Sequence, residues 1–245
     1  MTRIREHRTA ATTAGVLYLI GTVAGVLAKV LVQMPVRDAP DPLAYTGAHP
    51  SLIATGALLI LVMGLALAFV PVVLFPVLRP VNEALAIGYL TLRGAVEATC
   101  YVISAITLLA LVPVSTVLAA GPGTASPAAV RLGLALIDSD ATAAVLSVVF
   151  CLGGAMFYVL LYRSGIVARW LAVWGLATLP LYLGAFILAM YGVIGSNSTQ
   201  LNLLVLPLAV QEMVLGIWMI ARGFRPATAS AASQPTTRPL ADASR

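Results

Sequence analysis

The chain has 245 residues, 60% of them hydrophobic and 9% charged, with a mean hydropathy of +1.00. A soluble domain carries about 25% charged residues, so this composition excludes a water-soluble enzyme, a disordered chain and a nucleic-acid binder of the usual kind. The net charge is +5, but 13 of the 14 basic residues are arginine and lie mostly at the ends of apolar runs, where they orient a membrane protein.

The first apolar run follows Arg3, Arg5 and Arg8 and extends from Thr9 to Ala28. It is longer than the ~7–15 residues of a signal-peptide core and no small-x-small cleavage site follows, so it reads as an uncleaved span. A membrane-crossing helix needs about 20 mostly apolar residues. Six stretches qualify: 12–32, 52–74, 84–111, 141–162, 170–191 and 200–221. The expected architecture is therefore all-α, an integral membrane bundle of six transmembrane helices. It forms one membrane-embedded domain over 1–225, with a disordered cytoplasmic tail over 226–245 that is rich in Ala, Ser, Thr and Pro.

Two connections on one side are longer than the rest. Residues 33–50 hold four prolines and read as irregular extended chain, because proline removes a donor and fixes φ. Residues 113–138 open with a Gly/Pro/Ser stretch and turn helical from about Ala128, with Val130, Leu134 and Ile137 on one apolar face. The other side of the bundle carries Arg3, Arg5, Arg8, Arg79, Arg163, Arg169, Arg222, Arg225, Arg238 and Arg245, ten in all. Only Lys29, Arg37 and Arg131 lie opposite, so the positive-inside rule puts both termini in the cytoplasm of a bacterial cell, with the protein multi-pass in its inner membrane.

Ionisable residues away from helix ends are the informative ones, since each costs several kcal/mol unless paired or hydrated. Arg93 and Glu97 in span three and Glu212 in span six meet that description. Arg93 and Glu97 are four apart and share a helix face. At about 1.5 Å per residue, Arg93 lies about 12 Å and Glu212 about 13–14 Å from the same membrane face. Arg93 can then pair with Glu212, if spans three and six are neighbours, or with Glu97. Either way one carboxylate is left over, as part of a structural ion pair between helices or as a proton or cation site. Gln211 and Asn202 are further polar groups on span six, and Pro207 frees a backbone carbonyl between them.

Asp138 and Asp140 precede span four and read as helix-start residues, or as an acidic mouth facing Lys29 or Arg131. Cys100 and Cys151 lie inside apolar runs and read as packing residues. Neither histidine, His7 or His49, lies in a span, which leaves haem ligation and Ser–His catalysis without residues. No catalytic, cofactor or metal constellation is expected. Gly21 and Gly25 form a G-x-x-x-G for close helix approach, and Trp170, Trp174, Trp218 and Phe224 form an aromatic belt.

Several stretches in order resemble the bacterial DUF4386 family of multi-spanning membrane proteins of unknown function. They are Ala14–Ile20 in span one, Phe75–Arg79 after span two, then Asn82-Glu83, Gly88-Tyr89 and Arg93 with Glu97. Leu161–Ser164 and Arg169–Leu176 follow at the fourth turn, then Leu206-Pro207-Leu208, Glu212-Met213, Ile217-Trp218 and Gly223-Phe224. Gln211 departs from the pattern, standing where Asn is usual before the Glu, and the Arg93-to-Glu97 spacing is the second departure. The resemblance implies a helical membrane bundle and supplies no reaction.

Three functional classes fit these observations. The first is a non-enzymatic membrane component with a structural, sensing or accessory role around a buried Arg/Glu core. The second is a small proton- or cation-coupled carrier using Glu97 or Glu212. The third is a lipid-active enzyme, for which only carboxylates are on offer. The expected partners are the lipid bilayer and either protons, a small cation or an unknown membrane protein, with no nucleic acid and no cofactor; the oligomeric state is open.

Overall fold

A computed structural model describes residues 2–119, 141–195 and 198–224. Asp138, Asp140, Arg131, the helix expected from about Ala128 and the tail over 226–245 lie outside the described residues.

The described chain is helical, with no strand among those residues. The first span joins α1 (Thr2–Ala28) through a π-helical segment (Lys29–Gln33) to α2 (Met34–Asp38). A short α3 (Pro42–Ala48) leads into α4 (Pro50–Leu78). The third span joins α5 (Glu83–Tyr89) through a second π segment (Leu90–Val96) to α6 (Glu97–Ala119). Then come α7 (Ala141–Ser164), α8 (Arg169–Met190) and α9 (Thr199–Arg222). Six helices are long and apolar enough to cross a membrane: His7–Asp38, Pro50–Leu78, Glu83–Val117, Ala143–Ser164, Arg169–Met190 and Thr199–Arg222. All six expected spans are present; the first three run well past the stretch that hydropathy alone picks out, and the last three match it within one or two residues.

The 33–50 connection corrects its expectation. It is not extended chain: it forms the end of the π segment, α2 and α3. Pro35, Pro42 and Pro50 sit in the first turn of α2, α3 and α4, and Pro40 lies in the bend between α2 and α3. At α3 and α4, which follow non-helical residues, the missing N–H would have no helical partner anyway. The Asp41 side chain also caps α3, accepting from the Ala44 N–H at 3.0 Å. The same device starts two other helices, with Asn82 capping α5 and Ser198 capping α9. Pro71, Pro76, Pro113, Pro180 and Pro207 all lie inside continuous helices.

The spans are arranged as a closed circuit in chain order. α1 packs against α4, α4 against the third span, that span against α7, α7 against α8 and α8 against α9. α9 returns to α1 and closes the circuit. At the closure a Cβ added to Gly15 would lie 2.6 Å from the Gly216 carbonyl oxygen, so α1 and α9 touch backbone to backbone. Gly21 and Gly25 face α4, against Leu67 and Met63. The outer surface is apolar, as on α4, where Leu58, Leu65, Phe69 and Val72 are all about half exposed. Facing lipid tails, such side chains carry none of the cost they would have in water.

The π segments solve a register problem in the two spans that carry them. In the third span Tyr89, Arg93, Glu97, Tyr101 and Ala105 are all buried, a step of four held over sixteen residues. A regular α-helix has 3.6 residues per turn, so each step of four drifts by about 40° and four steps would carry the row to the outside. In the π segment hydrogen bonds reach five residues back, as from the Glu97 N–H to the Leu92 carbonyl. The wider turns absorb the drift and keep the row facing inward. Ala24, Ala28, Val32 and Val36 form the same buried row across the π segment of the first span.

Candidate functional site

The buried row of the third span brings a guanidinium and a carboxylate to the middle of the helical circuit. Arg93 is 3% exposed and Glu97 is fully buried. Arg93 Nη1 lies 3.0 Å from Glu97 Oε1 and 2.9 Å from Oε2. The Tyr101 hydroxyl donates to Glu97 Oε1 at 3.2 Å, continuing the same four-residue step. Glu97 therefore holds two partners on its own span, with no described water-facing surface.

Arg93 also reaches across the circuit. Its Nη2 lies 3.6 Å from Glu212 Oε1 on α9, although the third span and α9 do not pack side by side. The sequence makes this pair conditional on spans three and six being neighbours; it forms instead as a bridge between helices on opposite sides. Glu212 differs from Glu97 in two respects: its contact is longer, and its side chain is 18% exposed. One positive charge against two negative ones leaves a formal −1 in the cluster, and that surplus sits at Glu212.

The arginine is held from the remaining side by α7. Its guanidinium carbon lies 4.3 Å from the centre of the Phe150 ring, a cation–π contact. A Cβ added to Gly153 would lie 2.6 Å from Arg93 Cγ, so the absence of a side chain there makes room for the arginine stem. Aromatic rings surround the cluster. Tyr182 stacks on Phe150 with centroids 4.8 Å apart, and Phe186 tilts against Tyr182 at 4.9 Å. Tyr89 stacks on Phe157 at 4.7 Å, and the Tyr89 hydroxyl, buried near Arg93, has no hydrogen-bond partner of good geometry.

Gln211 is adjacent to Glu212 in sequence but serves another contact. It is fully buried, accepts from the Tyr158 hydroxyl at 2.8 Å and donates to the Leu171 carbonyl at 3.0 Å. It straps α9 to α7 and α8 and stands apart from the Arg93 cluster. Asn202 is near the opposite end of α9, where it accepts from Lys29 Nζ at 3.1 Å. Asp138 and Asp140 lie outside the described residues. Cys100 and Cys151 are buried and free. Among the described residues no three His, Cys, Asp or Glu side chains come together to hold a metal.

Tyr101, Phe150 and Gly153 complete the site without having been marked by sequence reasoning. Tyr101 carries a signal, since the step from Arg93 to Glu97 repeats from Glu97 to Tyr101. Phe150 and Gly153 carry none, being one aromatic and one glycine among many in apolar spans.

No curated protein and no solved structure matches the chain. Residues 13–223, by contrast, match the family described as Domain of unknown function (DUF4386), which takes in most of the first span, the other five and the whole cluster, and the chain belongs to that family.

Proposed function

We propose that this chain is a non-enzymatic, multi-pass protein of a bacterial cytoplasmic membrane, structural, sensing or accessory in role, in which Arg93 latches opposite sides of the helical circuit together. Both termini face the cytoplasm in this reading, since the arginine-rich ends of the spans share that side. The observation that carries it is the single guanidinium bonded to Glu97 on its own span and extended to Glu212 on α9. A double-mutant cycle between Arg93→Gln and Glu212→Gln, scored by thermal unfolding in detergent, tests it. A coupling of about 0.5 kcal/mol or more, beyond the scatter of additive pairs, supports the latch, and additive effects overturn it.

A second reading, a small proton- or cation-coupled carrier, draws support from the formal −1 left at a partly exposed Glu212. Charge buried in a bilayer is costly unless paired, so this surplus favours a mobile cation at that position. In that case Glu212→Gln leaves stability unchanged or raised and removes its pH dependence.

A further inference from the structure

The geometry points to a binding site for the phosphate of an anionic phospholipid at the rim where α1 and α8 begin and α9 ends, with Arg8, Arg169 and Arg222 as its donors. The site is separate from the Arg93 cluster and from either reading of it.

Charge at this end of the bundle is unbalanced. Arg8, Arg79, Arg163, Arg169 and Arg222 all lie there, and among the described side chains Glu83 is the one carboxylate that meets them. Arg79 takes it, at 2.7 Å. Three of the other arginines are drawn together by packing. A Cβ added to Gly223 would lie 3.7 Å from Arg8 Cγ, which sets Arg8 beside the end of α9 and next to Arg222 in the rim. The Arg222 guanidinium lies over the Trp218 ring at 5.2 Å, and Trp170 meets Trp218 edge-on at 6.2 Å. Arg169, the neighbour of Trp170, lies over the Tyr162 ring at 5.7 Å. A guanidinium stacked on a ring spends its face there and keeps its in-plane N–H fork for a phosphate. Among the described residues no carboxylate pairs with any of these three.

The same surface suits a ligand with a tail. Trp170 is 52% exposed, and Val173 on α8 and Ile217 on α9, within two turns further into the bundle, are about half exposed as well. Tryptophan favours the level of the lipid headgroups, where its apolar body and polar edge are both accommodated. Arginine clusters at that level attract anionic headgroups. A phospholipid places its phosphate among the guanidinium groups and its acyl chains along the apolar residues beneath, whereas a free anion leaves that lower half uncovered.

The three tryptophans of the chain, Trp170, Trp174 and Trp218, all belong to this rim, so intrinsic fluorescence reads it directly. The test places the full chain in phosphatidylcholine vesicles in which a rising fraction of the lipid is phosphatidylglycerol with brominated acyl chains, which quench tryptophan on contact. Brominated phosphatidylcholine is the reference. Each arginine near a lipid surface contributes about fivefold in affinity, so the expected preference for the anionic lipid is more than about tenfold. Arg169→Gln and Arg222→Gln, both at exposed positions, should each lower it by about fivefold. Arg79→Gln changes the net charge equally but removes an arginine already taken by Glu83, and should leave the preference within about twofold. Equal quenching by the two brominated lipids overturns the proposal. So do equal losses in all three variants, which mark a diffuse surface charge and no site. Displacement of the lipid by inorganic phosphate, against chloride at the same ionic strength, overturns it too, since the site then takes a free anion.

Discussion

Glu97 and Glu212 share one arginine, yet their neutralisation should have very different consequences. At an effective dielectric constant of about 20, unit charges 2.9 Å apart attract by about 6 kcal/mol and those 3.6 Å apart by about 5 kcal/mol, so distance alone barely separates the two pairs. Burial separates them. Glu97 is fully buried, so Glu97→Gln strips Arg93 of its closest counter-charge in a place where water cannot substitute. Breaking a buried pair by removing one partner costs about 3–5 kcal/mol. Glu212 is 18% exposed, and its neutralisation leaves Arg93 paired with Glu97 and over Phe150. Its cost should stay within about 1 kcal/mol, because the arginine keeps its closer counter-charge and is not left unpaired.

Both substitutions preserve side-chain shape, so thermal unfolding in one detergent at one pH compares them directly. For a chain of this size about 1 kcal/mol moves the midpoint by about 2–4 °C. Glu97→Gln should therefore lower Tm by about 6–20 °C and Glu212→Gln by less than about 4 °C. Equal losses from the two variants would refute the assignment of the surplus charge to Glu212.

Four further outcomes follow from the same geometry. Gly153→Ala puts a methyl where Arg93 Cγ lies 2.6 Å away, so it should destabilise by about 1–3 kcal/mol by overpacking, and the loss should shrink when Arg93 is already glutamine. Tyr101→Phe removes one hydrogen bond to Glu97 and should cost about 0.6 kcal/mol, at most about 1.7, by the same unfolding assay. Gly15→Leu forces α1 off α9 at the Gly216 carbonyl and should lower Tm by more than Gly184→Leu, whose added Cβ meets nothing within 4 Å. Lys29→Met removes a single exposed contact to Asn202 and should change stability by no more than about 0.5 kcal/mol.

Much of this arrangement is legible in the sequence because the bilayer simplifies the code. Runs of about 20 apolar residues mark the spans whatever their packing, and Arg93, Glu97 and Glu212 stand out because charge is so scarce. What lies between 33 and 50 is harder to read, because composition marks proline as a breaker while Pro35, Pro42 and Pro50 stand in the first turn of a helix, where proline is tolerated. The circuit itself left no trace. Which glycine meets which carbonyl depends on two surfaces brought together from opposite ends of the chain, as with Gly15 and Gly216. The separation of Gln211 from Glu212 was hidden for a local reason: neighbours on a helix point about 100° apart, so adjacent polar residues serve different helices.

The register of the third span links the fold to the cluster. A row of inward residues at a step of four needs wider turns, and the π segment from Leu90 to Val96 supplies them around Arg93. Were that segment regular α-helix, Tyr89 and Tyr101, three steps of four apart, would differ by about 120° in facing direction. Tyr89 could not then sit on Phe157 of α7 while Tyr101 both bonds Glu97 and packs on Gly64 of α4. Inserting one alanine after Ala95 would turn the two halves of the row against each other by about 100°. The insertion should cost at least as much as Glu97→Gln, since it carries Glu97 off the face of Arg93 as well as breaking the aromatic contacts. Alanine substituted at Gly94 tests volume without register: its Cβ would meet Pro71 and Leu90 at 3.4 Å, ordinary contact. If the insertion proved no worse than that substitution, the register set by the π segment would be incidental to the cluster.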